Sequence, residues 1–221
     1  MPELTVEKLY KDRKNYFDMT LLNSEAGLKK RITNSEIHRP GLALAGFTDR
    51  FASQRTQVLG ETEMTYLIKI GHSTLLSDAE RIFASDVPLM IISKGITPTL
   101  DFLEIADRQK TAVFSSRLTT SDLTNRLAAY LDAYFAPAIT MHGTLVDVYG
   151  VGLLYTGKSG IGNSEIALDL VERGHRLVAD DVVKIIRKAP DLIVGTGSEL
   201  LGHHMEVRGI GIIDIEKLFG I

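Results

Sequence analysis

One stretch constrains this 221-residue chain more than any other: "GLLYTGKSGIGNSEIALDLVERGHRLVADD", residues 152–181. It reads as strand, glycine loop, helix and second strand. Residues 144–157, "TLVDVYGVGLLYTG", are apolar and β-rich, with a turn expected at Gly150. In "SEIALDLVERG", Ile166, Ala167, Leu170 and Val171 are expected on one helical face. Gly174 supplies the C-terminal stop. "HRLVADD" then returns as a short strand ending in Asp180 and Asp181. A phosphate-binding loop works in that succession of elements.

The loop runs Gly157, Lys158, Ser159, Gly160, Ile161, Gly162, Asn163, Ser164. It follows G-x-x-x-x-G-K-[ST] except at Asn163. The glycines let the backbone fold tightly and turn its N–H groups inward. Together with the free N–H groups at the helix start they make an anion cradle. Ser164 stands where a hydroxyl would ligate Mg²⁺. Asn163 stands where lysine would place a point charge on the phosphates. Asparagine donates a hydrogen bond but carries no charge. The cradle, being backbone, survives; what is lost is the offset to charge on a transferring phosphoryl group. The competing reading of the loop is a glycine-rich turn without a ligand, and that of Asp180 and Asp181 a solvated strand end. The flanking strand and helix argue against both.

The preceding part of the chain reads as an α/β domain over residues 1–133. "VPLMIIS" (87–93) is expected as a buried strand, "TLDFLEIADRQK" (99–110) as a helix and "TAVFSS" (111–116) as a strand, a parallel βαβ unit. Leu123, Leu127, Tyr130, Leu131 and Tyr134 then share one face of a helix. Thr119 and Asp122 fit its start and Pro137 its end. The boundary falls around 130–137, leaving 134–221 as the second domain.

Composition excludes several function classes. Hydrophobic residues at 44% supply a core, and 24% charge is that of an ordinary globular chain. With no cysteine there is no disulfide scaffold, cysteine-ligated zinc or cysteine nucleophile. A net charge of −3 gives no basic field for nucleic acid or anionic membrane. The N-terminal "MPELTVEKLYKDRKNYF" lacks the apolar run of a signal peptide, and no stretch reaches membrane-spanning length. The expectation is a soluble cytoplasmic protein.

Three stretches together resemble the bacterial HPr kinase/phosphorylase family: "MHGTLVDVYGVGLLYTGKSGIGNSEIALDLVERGHRLVADD" (141–181), "MEVRGIGIIDIEKLFG" (205–220) and "EAGLKKRITNSEIHRPGLALAGF" (25–47). The resemblance implies an N-terminal α/β domain followed by a P-loop (Walker A) kinase-type α/β domain. It implies an enzyme that uses ATP, or pyrophosphate in some members, to phosphorylate a serine of HPr, the carrier of the sugar phosphotransferase system. The same enzyme removes the group with inorganic phosphate, releasing pyrophosphate, in carbon catabolite repression. It also implies a homohexamer.

By the same resemblance, His142 is an active-site histidine and Asp181 the catalytic acid/base. Asn163 takes the active-site lysine's place, and residues 157–164 are the nucleotide loop. Ser164 and Glu206 are the Mg²⁺ ligands, and 205–214 serves both reactions. Family members continue past "LFG" with a catalytic arginine and a loop used in dephosphorylation, so the second domain is expected to be incomplete at its C-terminus.

Asn163 and the chain end keep a second reading open, a pseudo-enzyme or regulatory module that binds HPr or nucleotide without transfer. A small-molecule P-loop kinase would require the match at 205–220 to be coincidence. Lys158 occupies a position from which, in a distinct class of loop ATPases, a lysine contacts phosphate, usually from a neighbouring subunit. His203 and His204 point apart and lack a third ligand, so no metal role is assigned. Arg208 is read as a surface residue by default. Asp147 and Glu165, near the loop, stay unassigned between function and packing.

Overall fold

In the computed structural model, which describes residues 3–158, 160–197, 204–207 and 211–219, the apolar run at 87–93 forms the strand Leu89–Ile92, buried at every residue. Side chains alternate across a strand. Leu89 and Ile91 enter one hydrophobic cluster, Met90 and Ile92 another. A strand covered on both faces needs no polar alternation, which is why it reads as a continuous apolar run. It pairs in parallel with Thr56–Leu59 and with Ala112–Ser116. Ile37–His38 extends the parallel sheet, and Met19–Leu21 closes its other edge antiparallel.

The helices Glu61–Lys69, His72–Phe83 and Leu100–Arg108 cover one face. Val6–Arg13 and Thr120–Phe135 cover the other. The βαβ unit expected at 87–116 is present. Thr119 Oγ1 accepts from the N–H of Asp122 at 3.2 Å and donates to its carboxylate at 2.9 Å, capping Thr120–Phe135. Leu123, Leu127 and Leu131 are buried, with Tyr130 and Tyr134 packed beside them. The chain divides into Met1–Phe135 and Ala136–Ile221.

The second unit starts from a hairpin. Thr144–Val148 pairs antiparallel with Val151–Tyr155. Tyr149 and Gly150 between them have φ of +53° and +84°. Two positive values suit the type I′ turn that matches strand twist. Asp147 Oδ1 accepts from the N–H of Gly150 at 2.7 Å, which makes this acid a turn residue. Arg176–Ala179 pairs with the other edge of Thr144–Val148. It therefore runs parallel to Val151–Tyr155, one strand removed, and the helix Asn163–Glu172 connects the two.

Ala167 and Val171 of that helix are buried with Val146, Leu177, Met205, Val207 and Ile215. Ile166 departs from the expected face and is 48% exposed. Successive helical residues lie about 100° apart, so a stripe centred on Ala167 and Val171 turns Ile166 outward. A second sheet joins Ala138–His142, Val182–Ala189 and Leu192–Thr196. His204–Val207 pairs with Gly211–Asp214, and a short helix, Ile215–Phe219, follows. Among the described residues no helix is long and apolar enough to cross a membrane.

Candidate functional site

The glycine loop is shaped by positions where a side chain would not fit. Gly160 and Gly162 have φ of +83° and +105°, conformations that favour glycine. A Cβ at Gly157 would lie 2.9 Å from Ile161 Cγ2 and 3.4 Å from Asn163 Nδ2, so the loop closes on its own first residue. The N–H of Ile161 donates to the carbonyl of Lys158 at 3.2 Å. Gly162 caps the helix, whose first ladder bond runs from the N–H of Ile166 to the carbonyl of Gly162 at 3.0 Å. The N–H groups of Asn163, Ser164 and Glu165 therefore precede the ladder, at the positive end of the helix dipole. Ser159 lies outside the described residues.

Asp180 and Asp181 sit in the turn between Arg176–Ala179 and Val182–Ala189. The N–H of Val182 donates to the carbonyl of Asp180 at 2.9 Å, and Asp181 between them has φ +70°. This is a three-residue turn of the rarer, strained kind. It sends the two carboxylates to different work. Asp180 Oδ1 accepts from Thr144 Oγ1 at 2.7 Å, and Oδ2 from the N–H of Glu206 at 3.3 Å. The Asp181 side chain is 79% exposed, its Oδ1 3.6 Å from His142 Nδ1.

His142 is placed by register, since it lies opposite Val182. Its Nδ1 is 3.2 Å from the carbonyl of Asp181. A carbonyl only accepts, so Nδ1 donates in this contact. Glu206 follows from strand alternation: Met205 and Val207 are buried and Glu206 is exposed.

These residues line one cavity of about 580 Å³, within the second unit. His142, Asp181, Gly157, Lys158, Gly160, Gly162, Asn163, Ser164 and Glu206 all reach it; Ile161 does not line it. Thr144, Glu165 and Asp180 join them without having been assigned a role from sequence. The strand end was the sequence signal for both acids and the family resemblance singled out Asp181; the turn separates their roles. Of the stretch 205–214, residues 208–210 lie outside the described residues, as does His203. His204 Nε2 lies 3.9 Å from Asp214 Oδ2. Among the described residues no group of three or more His, Asp or Glu side chains is gathered closely enough to hold a metal ion alone.

The geometry defines a class, a two-unit α/β protein whose second unit sets a glycine loop and helix start against carboxylates across a polar cavity. Comparison narrows the class to a family. The profile for the HPr serine kinase N terminus matches residues 4–131, and that for the HPr serine kinase C-terminal domain matches residues 133–221. The chain belongs to the HPr kinase/phosphorylase family. An HPr kinase/phosphorylase of Alkaliphilus metalliredigens is 42% identical over 221 residues, covering 100% of this chain and 70% of that protein. One from Treponema pallidum is 44% identical over 215 residues, covering 97% and 67% respectively. Among solved structures, the Hpr(Ser) kinase/phosphatase of Coxiella burnetii matches at 38% identity and a TM-score of 0.35, over 37% of this chain and 54% of that one.

Proposed function

We propose that the second unit is built for phosphoryl transfer between a nucleotide or pyrophosphate and a serine of HPr, in both directions. The observation that carries this reading is the exposed Asp181 carboxylate on the same cavity as the glycine loop and helix start. The loop and first-turn N–H groups hold the phosphates. In the forward direction the serine Oγ attacks the terminal phosphorus, the bond to the donor breaks to release nucleoside diphosphate (or phosphate, from pyrophosphate), and the serine proton passes to Asp181. In reverse, inorganic phosphate attacks the phosphoserine phosphorus, and Asp181 returns a proton to the departing serine oxygen as pyrophosphate forms. A serine hydroxyl is a weak nucleophile without such a base. His142, hydrogen-bonded through Nδ1 to the Asp181 carbonyl, lines the same cavity.

Ser164 and Glu206 are hard oxygen donors on the cavity wall, and they fit Mg²⁺, which takes few protein ligands when phosphates supply the rest. Bound there, Mg²⁺ would offset phosphate charge. Family resemblance supports a homohexamer and a cytoplasmic setting in carbon catabolite repression. It also supports a two-domain organisation, the two family models meeting between residues 131 and 133.

Asn163 favours a second reading, in which the site binds nucleotide or HPr and transfers nothing. One experiment separates the two. The chain and its Asn163→Lys variant are incubated with HPr, Mg²⁺ and ATP, and phosphoserine is measured. Transfer by either supports the enzyme; transfer only with lysine locates the defect at position 163. Absence of transfer from both, with ATP binding retained, supports the binding module.

A further inference from the structure

The cavity wall is electrostatically lopsided for a polyphosphate site. Glu165, Asp180, Asp181 and Glu206 all line it, and Lys158 is the sole lysine or arginine among the described residues that does. Position 163, where a lysine would stand, carries an uncharged amide folded against Gly157. Asp180 is engaged by Thr144 and Glu206. Among the described residues, by contrast, the Lys158 ammonium has no hydrogen-bond or ion-pair partner.

We infer that Lys158 supplies the cation that contacts the phosphates of bound nucleotide or pyrophosphate, in place of a lysine at position 163. The inference rests on the phosphate-site reading above and deepens it. The two ends of the loop are close in space: Gly157, immediately before Lys158, packs against the Asn163 side chain. A charge at 158 thus starts from the same end of the cavity as a charge at 163. Its backbone anchor is fixed, because the Lys158 carbonyl closes the turn with Ile161. Its head is a compact point charge on a flexible four-carbon stem, suited to following phosphate oxygens. An anion entering among carboxylates needs such a counter-charge, and the backbone cradle supplies only partial charges.

The test is calorimetric titration of the full chain with pyrophosphate and Mg²⁺, for the unmodified protein, Lys158→Ala, Lys158→Arg, Asn163→Lys and the double variant Lys158→Ala/Asn163→Lys. Lys158→Ala is expected to weaken affinity about tenfold or more and to flatten its salt dependence. Lys158→Arg keeps most of the affinity, because the charge is retained. In the Asn163→Lys background Lys158→Ala costs less than about threefold, because the second cation stands in for the first. Equal loss in both backgrounds, or no loss in either, overturns the inference. So does binding that appears only with Asn163→Lys, which leaves the phosphate site standing without Lys158. If no version binds, the phosphate-site reading falls and takes this inference with it.

Discussion

The carboxylate of Asp180 accepts a hydrogen bond from the backbone N–H of Glu206 at 3.3 Å, across 26 positions of sequence. Its other oxygen accepts from the buried Thr144 hydroxyl at 2.7 Å. One side chain thereby ties the start of Thr144–Val148 and the strand His204–Val207 to the turn that carries Asp181. Asp180→Asn keeps the shape but loses the charge: with its oxygen on the Glu206 N–H, its NH₂ faces the Thr144 hydroxyl, which must then accept rather than donate. A loss of about 1.5–3 kcal/mol in the second unit's stability is expected. Thr144→Val should add little in that background. Urea unfolding of the four-member cycle measures both; fully additive losses would sink the shared-tether account.

Asp181 should behave in the opposite way. Its side chain is exposed, and asparagine also tolerates positive φ. In the Asn163→Lys background, Asp181→Asn is expected to lower phosphotransfer to HPr by about 10²–10⁴-fold. Its unfolding free energy should stay within about 0.5 kcal/mol. Steady-state phosphoserine formation and a parallel unfolding curve check the split.

Gly27 sits where the first unit allows no side chain. A Cβ there would overlap the backbone at Thr111 and Ala112, which belongs to the sheet and cannot swing away. Gly27→Ala is expected to destabilise this unit by about 1–3 kcal/mol or more. Hydrogen exchange should show the loss in the amides of Leu89–Ile92 and Ala112–Ser116. Unchanged protection there would show that the segment moves aside.

Acid should act on Asp214. Hydrogen bonds from the Lys217 side chain and then from its backbone N–H hold this carboxyl below its usual value. A lowered folded value means stabilisation fully present above the unfolded value, near pH 4, and lost as pH falls through the folded one. The helix Ile215–Phe219, whose Lys217 N–H is capped by Asp214, is expected to fray below about pH 4. NMR of its amides reads the transition, and Asp214→Asn should remove the pH dependence.

Legibility in the sequence followed the reach of each interaction. Leu89–Ile92, Leu100–Arg108 and Thr120–Phe135 announce themselves because periodicity and caps are local signals. Thr56–Leu59 does not, although it lies within the same sheet. It is four residues long and begins with two polar side chains, both buried. Gln57 is satisfied by the carbonyls of Ala52 and Arg55 and by His38, partners that no pattern displays. The loop at 157–164 was readable from its glycine spacing together with the flanking strand and helix. The division of labour between Asp180 and Asp181 was not, because strand register and one strained turn create it. Lys158 was raised from sequence as a candidate phosphate contact, but only the folded chain shows which charges surround it.

The groups at the head of the helix Asn163–Glu172 are main-chain N–H groups, and the loop's bends come from glycine. Neither depends on what side chain stands at 163. Asparagine and lysine codons differ by a single base. Such a site can therefore lose or regain its charge in one mutational step without passing through a misfolded ancestor. Selection on transfer and selection on folding act on separate letters of the same eight-residue loop, so a lineage can silence the first while inheriting the second intact.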